Sequence, residues 1–272
     1  MKNSDTTGRK TDGREIAAAF APRAQRLQLM ALYRWIAEIE QIGDKAKEPA
    51  IRAMRFAWHR DAVGDLCQRP RKIRRHVAYE GLARLIDDDI LDVRDLLSII
   101  DAVETGQDPE AVADQAALLA MLDGHFGGVT RLSARICGGE EPALVALAGR
   151  VIGLDHWVSG FAMRAGRQFA LVPASDLRSV DFNIHRLATG REPEIAKQAF
   201  TPTLECFALH LSKIREAGAS PTALFPALGA ARLAHATLRK AKGASDLYRT
   251  NFARSQIGCQ FDLTRASLSG RL

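Results

Sequence analysis

From residue 15 onward, apolar residues recur at three- and four-residue intervals, and no stretch sustains the strict alternation of a half-buried strand. Leu29, Tyr33, Ile36 and Ala37 fall on one face of a predicted helix, and Glu40 and Asp44 continue that face as carboxylates. Pro49 opens the next helix, which carries Ile51, Met54, Phe56, Trp58, Val63 and Leu66 and ends before Pro70. Two shorter helices are expected over 76–86 and 92–104. A longer one starts at Asp108-Pro109 and runs toward Cys137, with Gly124, Gly127 and Gly128 permitting close helix contact or a kink. After Pro142 another long helix reaches about residue 167, and further helical patterns cover 192–217, 221–242 and 244–257. Sparse β-branched residues and abundant alanine give strands little support. The prediction is an all-α bundle forming a single domain over 15–272, preceded by a polar, mobile tail over 1–14.

Composition narrows the function classes. With 272 residues, 47% hydrophobic and 26% charged, the chain buries a core without covalent staples and is expected to be soluble and folded. Cys67, Cys137, Cys206 and Cys259 lie far apart without a C-x-x-C pair, which fits single thiols in a reducing, cytoplasmic setting. No signal-like h-region opens the sequence, and the most apolar window, 223–236, is broken by Pro226, Arg232 and His235. The net charge of +6 is unevenly spread. Arg69, Arg71, Lys72, Arg74 and Arg75 form one basic cluster, and Arg232, Arg239, Lys240, Lys242, Arg249 and Arg254 form another. Such clusters attract anionic lipid, diphosphate or an acidic partner, although most basic runs are solvated faces. Without interleaved aromatics, the first cluster argues against nucleic acid.

The carboxylates carry the chemistry worth weighing. Asp87-Asp88-Asp89-Ile90-Leu91-Asp92 matches D-D-x-x-D by eye, but its place between two helices favours capping by Asp92 over metal binding. Glu40 and Asp44, one helical turn apart and inward, can hold a divalent ion or pair with an inward arginine such as Arg55. The seven histidines show no H-x-x-x-H or Cys/His metal spacing, and no P-loop or G-x-S-x-G occurs.

The run Tyr33-Arg34-Trp35-Ile36-Ala37-Glu38-Ile39-Glu40-Gln41-Ile42-Gly43-Asp44, followed by Glu48-Pro49 and Ile51-Arg52-Ala53-Met54-Arg55-Phe56, resembles the opening of the squalene/phytoene synthase family. Gly166-Arg167 and Leu171-Val172-Pro173 resemble its G-R-x-x-L-P segment with two extra residues. The resemblance implies a single helical bundle of the isoprenoid synthase type with a central cleft. It also implies prenyl diphosphate substrates and Mg²⁺ held between two aspartate-rich helices. Cleft or diphosphate contacts on this reading are Tyr33, Arg55, Arg164 and Arg167. The first motif survives as Glu40 and Asp44. The second would place Val158 and Ala162 where the family has aspartates, and residues 156–175 contain no Asp or Glu in any register.

Leu154, Trp157, Val158, Phe161, Ala162 and Ala165 read instead as one apolar stripe, with Trp157 a core residue or a cavity wall. Two readings follow. In the first, the chain lacks the second motif and acts by binding, without a cofactor. The pattern there resembles the family's assembly factors for respiratory complex I, which implies a membrane-associated complex subunit or anionic lipid as partner at the inner face of a membrane. In the second, it is an active Mg²⁺-dependent prenyltransferase acting on farnesyl or geranylgeranyl diphosphate, recruiting Asp155, Asp176 or the Asp87 to Asp92 loop as replacement ligands.

Overall fold

A computed structural model describes residues 12–272 except 69, 71, 72, 75, 109 and 140, together with the backbone but not the side chain of Val77. The basic cluster expected at 69–75 therefore lies largely outside the described residues. Arg74 is the member placed in detail, bonded to Asp65 at 2.8 Å and stacked 5.1 Å from the Trp58 ring centre.

The chain is mainly helical over its described residues, which contain no strand beyond one isolated bridge between Ala219 and Arg271. It begins with α1 (Gly13–Ala18), α2 (Arg23–Glu40), α3 (Ile42–Lys45), α4 (Pro49–Asp65), α5 (Val77–Asp87) and α6 (Val93–Thr105). Next come α7 (Gln115–Leu122), a π-helical turn over Asp123–Gly127, α8 (Gly128–Ile136), α9 (Pro142–Ser159) and α10 (Phe161–Gly166). Two short helices, α11 (Ala174–Ser179) and α12 (Ile184–Thr189), lead into α13 (Pro193–Glu216). After the 3₁₀ turn Thr222–Leu224 come α14 (Phe225–Leu228), the 3₁₀ turn Gly229–Leu233, α15 (Ala234–Gly243) and α16 (Gln256–Ser269).

Local chemistry explains most of these limits. Prolines at the first turn start α4, α9 and α13, where the missing N–H leaves no bond unmade. Asp92 caps α6 by accepting from the Arg94 backbone N–H at 2.8 Å, so the acidic string ends as a cap. The buried face of α2, Leu29, Leu32, Tyr33, Ile36 and Ile39, meets α5, where Gly81 faces Ala31 so closely that a Cβ would sit 2.6 Å from the alanine methyl. Gly149 on α9 similarly backs onto Gly127, and a Cβ there would lie 2.7 Å from the Gly127 Cα. These contacts draw α2, α9 and the π turn around a shared interior.

Several expectations shift. The helix expected at Asp108-Pro109 begins at Gln115, because Asp114 supplies the cap by accepting from the Ala117 N–H. The single helix expected to reach residue 167 breaks at Gly160 between α9 and α10. Residues 244–255 are not helical; Ser255 instead caps α16. The helix α1 starts within the stretch expected to be tail, of which 1–11 lie outside the described residues.

Candidate functional site

A cavity of about 1350 Å³ opens between α2, α6, the π turn, α9 and α10. α1 and the segment leading into α16 complete its wall. Its apolar lining includes Leu122, Phe126, Ile152, Trp157, Met163 and Phe169. Its polar lining gathers Asp12, Arg14, Arg34, Glu38, Glu40, Asp44, His125, Asp155, His156, Arg164 and Arg254.

Glu40, the last residue of α2, is held on two sides. Arg14 donates to it through Nη1 and Nη2 at 3.1 and 2.9 Å, and His125 Nε2 lies 2.9 Å from Oε1. The same guanidinium reaches Asp12 through Nε and Nη2, so one arginine ties two carboxylates together. Burial alone would raise the Glu40 pKa, but Arg14 and then His125 outweigh it and hold the group well below the ordinary carboxylate range. The π turn, rich in glycine, brings His125 to this point: Gly124 faces Ala102 and Gly128 faces Ile99 at distances that admit no side chain.

Asp44 does not share the environment of Glu40. Gln41 interrupts the helix, and Asp44 sits on α3 with its side chain 53% exposed, paired with Arg167 at 3.0 Å. Arg167 also donates to the Gly43 carbonyl, joining α10 to α3. Arg55, the arginine expected to pair with the first motif, faces a separate pocket of about 220 Å³ with Trp58 and His59. Arg14 takes its place because α1 folds inward. Tyr33 is buried in the core beneath Arg14, whose guanidinium carbon lies 5.8 Å from its ring centre, and does not line the cavity.

On the opposite wall Val158 is fully buried, while Ala162, expected in the same apolar stripe, is exposed because Gly160 breaks the helix. Trp157 lines the cavity, its Nε1–H donating to the Leu171 carbonyl at 2.9 Å. Arg164 lies over the Trp157 ring at 3.5 Å and donates to the carbonyls of Ala170 and Gly106 at 3.0 and 2.6 Å. Among the described residues no carboxylate lies within bonding distance of it. Burial lowers its pKa to about 9, with Asp44 opposing from further away. His156 beside it is driven to about 4 by burial and is neutral at pH 7.

Of the replacement ligands weighed from sequence, Asp155 alone lines the cavity, and Arg254 binds it. Asp176 accepts from Gln115 at 2.6 Å on α11, away from the lining. Each of the five carboxylates in the lining thus has a basic partner: Asp12 and Glu40 share Arg14, Glu38 pairs with Lys45, Asp44 with Arg167 and Asp155 with Arg254. A magnesium ion takes an octahedron of oxygens and usually one or two free carboxylates. Among the described residues no group of three or more His, Cys, Asp or Glu side chains could hold a metal ion. The side chains as arranged do not fit the Mg²⁺ cluster implied by the resemblance.

Asp12, Arg14, His125 and His156 were not singled out by sequence reasoning as site residues. Arg14 and His125 come from segments 26 and 85 residues away from Glu40, and no local spacing signals either.

A helical bundle around a central cavity is the isoprenoid synthase fold, shared with three solved structures. The dehydrosqualene synthase crystallised in complex with ligand has a TM-score of 0.68 and 12% identity, with 95% of this chain and 91% of that one covered. YisP from Bacillus subtilis subsp. subtilis strain 168 gives 0.66 and 13% over 93% and 89%. Squalene synthase HpnC from Alicyclobacillus acidocaldarius gives 0.64 and 14% over 94% and 88%. Residues 10–265 match the squalene/phytoene synthase family, and the chain belongs to it. Among curated proteins, none matches this sequence.

Proposed function

We propose that this family member binds an isoprenoid-type amphiphile with an anionic head in the central cavity, without a divalent cation, and does not join prenyl units. The reading rests above all on one arrangement: every carboxylate in the lining is matched by a cation, while the buried Arg164 guanidinium lines the cavity with backbone carbonyls as partners and, among the described residues, no counter-anion. A buried, unpaired charge is unfavourable, and an anionic head seated on Arg164 relieves it. The apolar wall of Phe126, Ile152, Trp157 and Met163 then suits the hydrocarbon.

Departure of diphosphate needs its accumulating negative charge neutralised. Glu40 and Asp44 already satisfy Arg14, His125 and Arg167, and the facing wall carries no acid from 156 to 175. A binding role also suits the proposed kinship with respiratory-complex assembly factors, in which the loaded cavity would be recognised by a partner subunit.

The test is titration with farnesyl diphosphate, followed by tryptophan fluorescence, in EDTA and in Mg²⁺, with diphosphate release assayed in parallel. Equal affinity in both and no release are expected. Arg164→Lys keeps the charge but loses the planar fork and the stacking on Trp157, and should weaken binding at least tenfold. Binding that requires Mg²⁺, with diphosphate released and a joined hydrocarbon formed, would establish the second reading, an active prenyltransferase. The family match and the synthases named among the structural neighbours support that alternative.

A further inference from the structure

The final helix, α16, is apolar on two opposite faces. Cys259, Leu263 and Ala266 are buried against the bundle, whereas Ile257, Phe261 and Leu268 are 80%, 69% and 86% exposed. At about 100° per residue the exposed three form one narrow stripe, about 180° from the buried set and roughly 16 Å long. A surface helix ordinarily turns polar side chains outward, so a second apolar stripe signals something that covers it.

Charge indicates what that is. Residues 232–272 hold eight lysines and arginines against Asp246 and Asp262, a net charge of +6 that equals that of the whole chain. Arg239, Lys240, Lys242, Arg249, Arg265 and Arg271 are all exposed. Arg265 lies on α16 beside the stripe, and Arg271 follows the helix's C-cap Gly270.

We propose that α16 docks the protein on an anionic lipid surface. Ile257, Phe261 and Leu268 enter the boundary between headgroups and acyl chains, and Arg265 with the other exposed basic side chains of the segment meets lipid phosphates. The stripe is a convex ridge on one helix, not a groove, and the positive charge is spread over the whole segment. Both features suit a planar, laterally adaptable surface better than an acidic protein. The inner side of the same region, Phe252, Arg254 and Cys259, lines the cavity. Docking therefore sets one wall of the cavity against the phase from which a hydrocarbon ligand partitions. No helix among the described residues is long and apolar enough to cross a membrane, so this contact is interfacial.

The experiment is co-sedimentation of the ligand-free full chain with vesicles of pure phosphatidylcholine and with vesicles containing one-third phosphatidylglycerol. Binding is expected to the second kind alone, and should weaken as salt rises from ~50 to ~300 mM. The double variant Phe261→Asp/Leu268→Asp should lose at least tenfold in partitioning while keeping its circular dichroism spectrum. Leu27→Asp, at an exposed position on α2, should bind like the parent. Equal binding to both vesicle types, sedimentation with neither, or a double variant that binds normally would each overturn the proposal. So would retention on immobilised polyglutamate without vesicle binding, which would assign the face to an acidic protein. Because no ligand is present, the outcome is independent of whether the cavity binds a prenyl compound.

Discussion

Replacing Arg14 by Met removes the guanidinium that ties Asp12 to Glu40 while keeping a side chain of similar length. Three hydrogen bonds to Asp12 side-chain oxygens and two to Glu40 disappear. Asp12 is 27% exposed and recovers water, but Glu40 is 15% exposed and keeps His125, whose pKa burial lowers, as its hydrogen-bond partner. Removing one partner of a buried ion pair costs about 3–5 kcal/mol, mostly through the charge left behind. The sign of the pH dependence follows. In the parent, the Glu40 pKa is depressed, so its contribution is present above the ordinary carboxylate pKa and is lost only in strong acid. In Arg14→Met the depressing charge is gone and burial pushes the pKa upward, so Glu40 takes up a proton in mild acid and the deficit narrows. Urea unfolding followed by circular dichroism at pH 7.5 and pH 5 measures both effects. Adding Glu40→Gln to Arg14→Met should recover about 2 kcal/mol at pH 7.5, because the stranded charge is then absent. A deficit below about 1 kcal/mol, one that does not change with pH, or no recovery in the double variant would refute this account of Glu40.

Gly149→Ala sets a methyl 2.7 Å from the Gly127 Cα, a backbone atom that cannot swing aside. It should destabilise by about 1–3 kcal/mol, read as a lower melting temperature. His59, buried and 2.5 Å from the Tyr79 hydroxyl, is lowered by burial from 6.5 to about 4. The unfolded chain therefore binds an extra proton between those values, and stability falls as pH drops from about 6.5 toward 4, by roughly 3 kcal/mol for this one group. His59→Gln should flatten that part of the stability profile, and an unchanged slope would locate the effect elsewhere.

What was legible in the sequence was whatever local chemistry decides. Pro49 and Pro142 marked helix starts, Asp92 marked a cap, and the glycines around His125 marked a helix irregularity, because each acts within a turn of itself. The periodic burial of Leu29, Ile36 and Ile39 made the bundle readable in the same way. Asp108-Pro109 misled because two Asp-led starts compete, and Asp114 makes the cap. The end of the chain misled because Gly258 breaks the helical pattern within the first turn of α16, while Ser255 bonds its N–H at 3.0 Å. Arg14 could not be read at all. Its surroundings, Thr11-Asp12-Gly13-Arg14, have the composition of a tail, and the carboxylate that draws it inward lies on another helix.

The position of Arg14 also bears on how a cavity of this fold relates to metal. A cluster of divalent cations requires acids in excess of the protein's own bases, converging from two sides. Here the acids of the lining are paired with the protein's own bases, and one guanidinium from α1 joins two of them. Arg164 is a second buried cation in the lining, and on the proposed reading it would take an anion from the ligand. Neither feature depends on the apolar lining, which is free to accept a hydrocarbon in either case. On the proposed reading, the difference between a metal-dependent cleft and this one would lie in a few ionic side chains and not in the bundle around them.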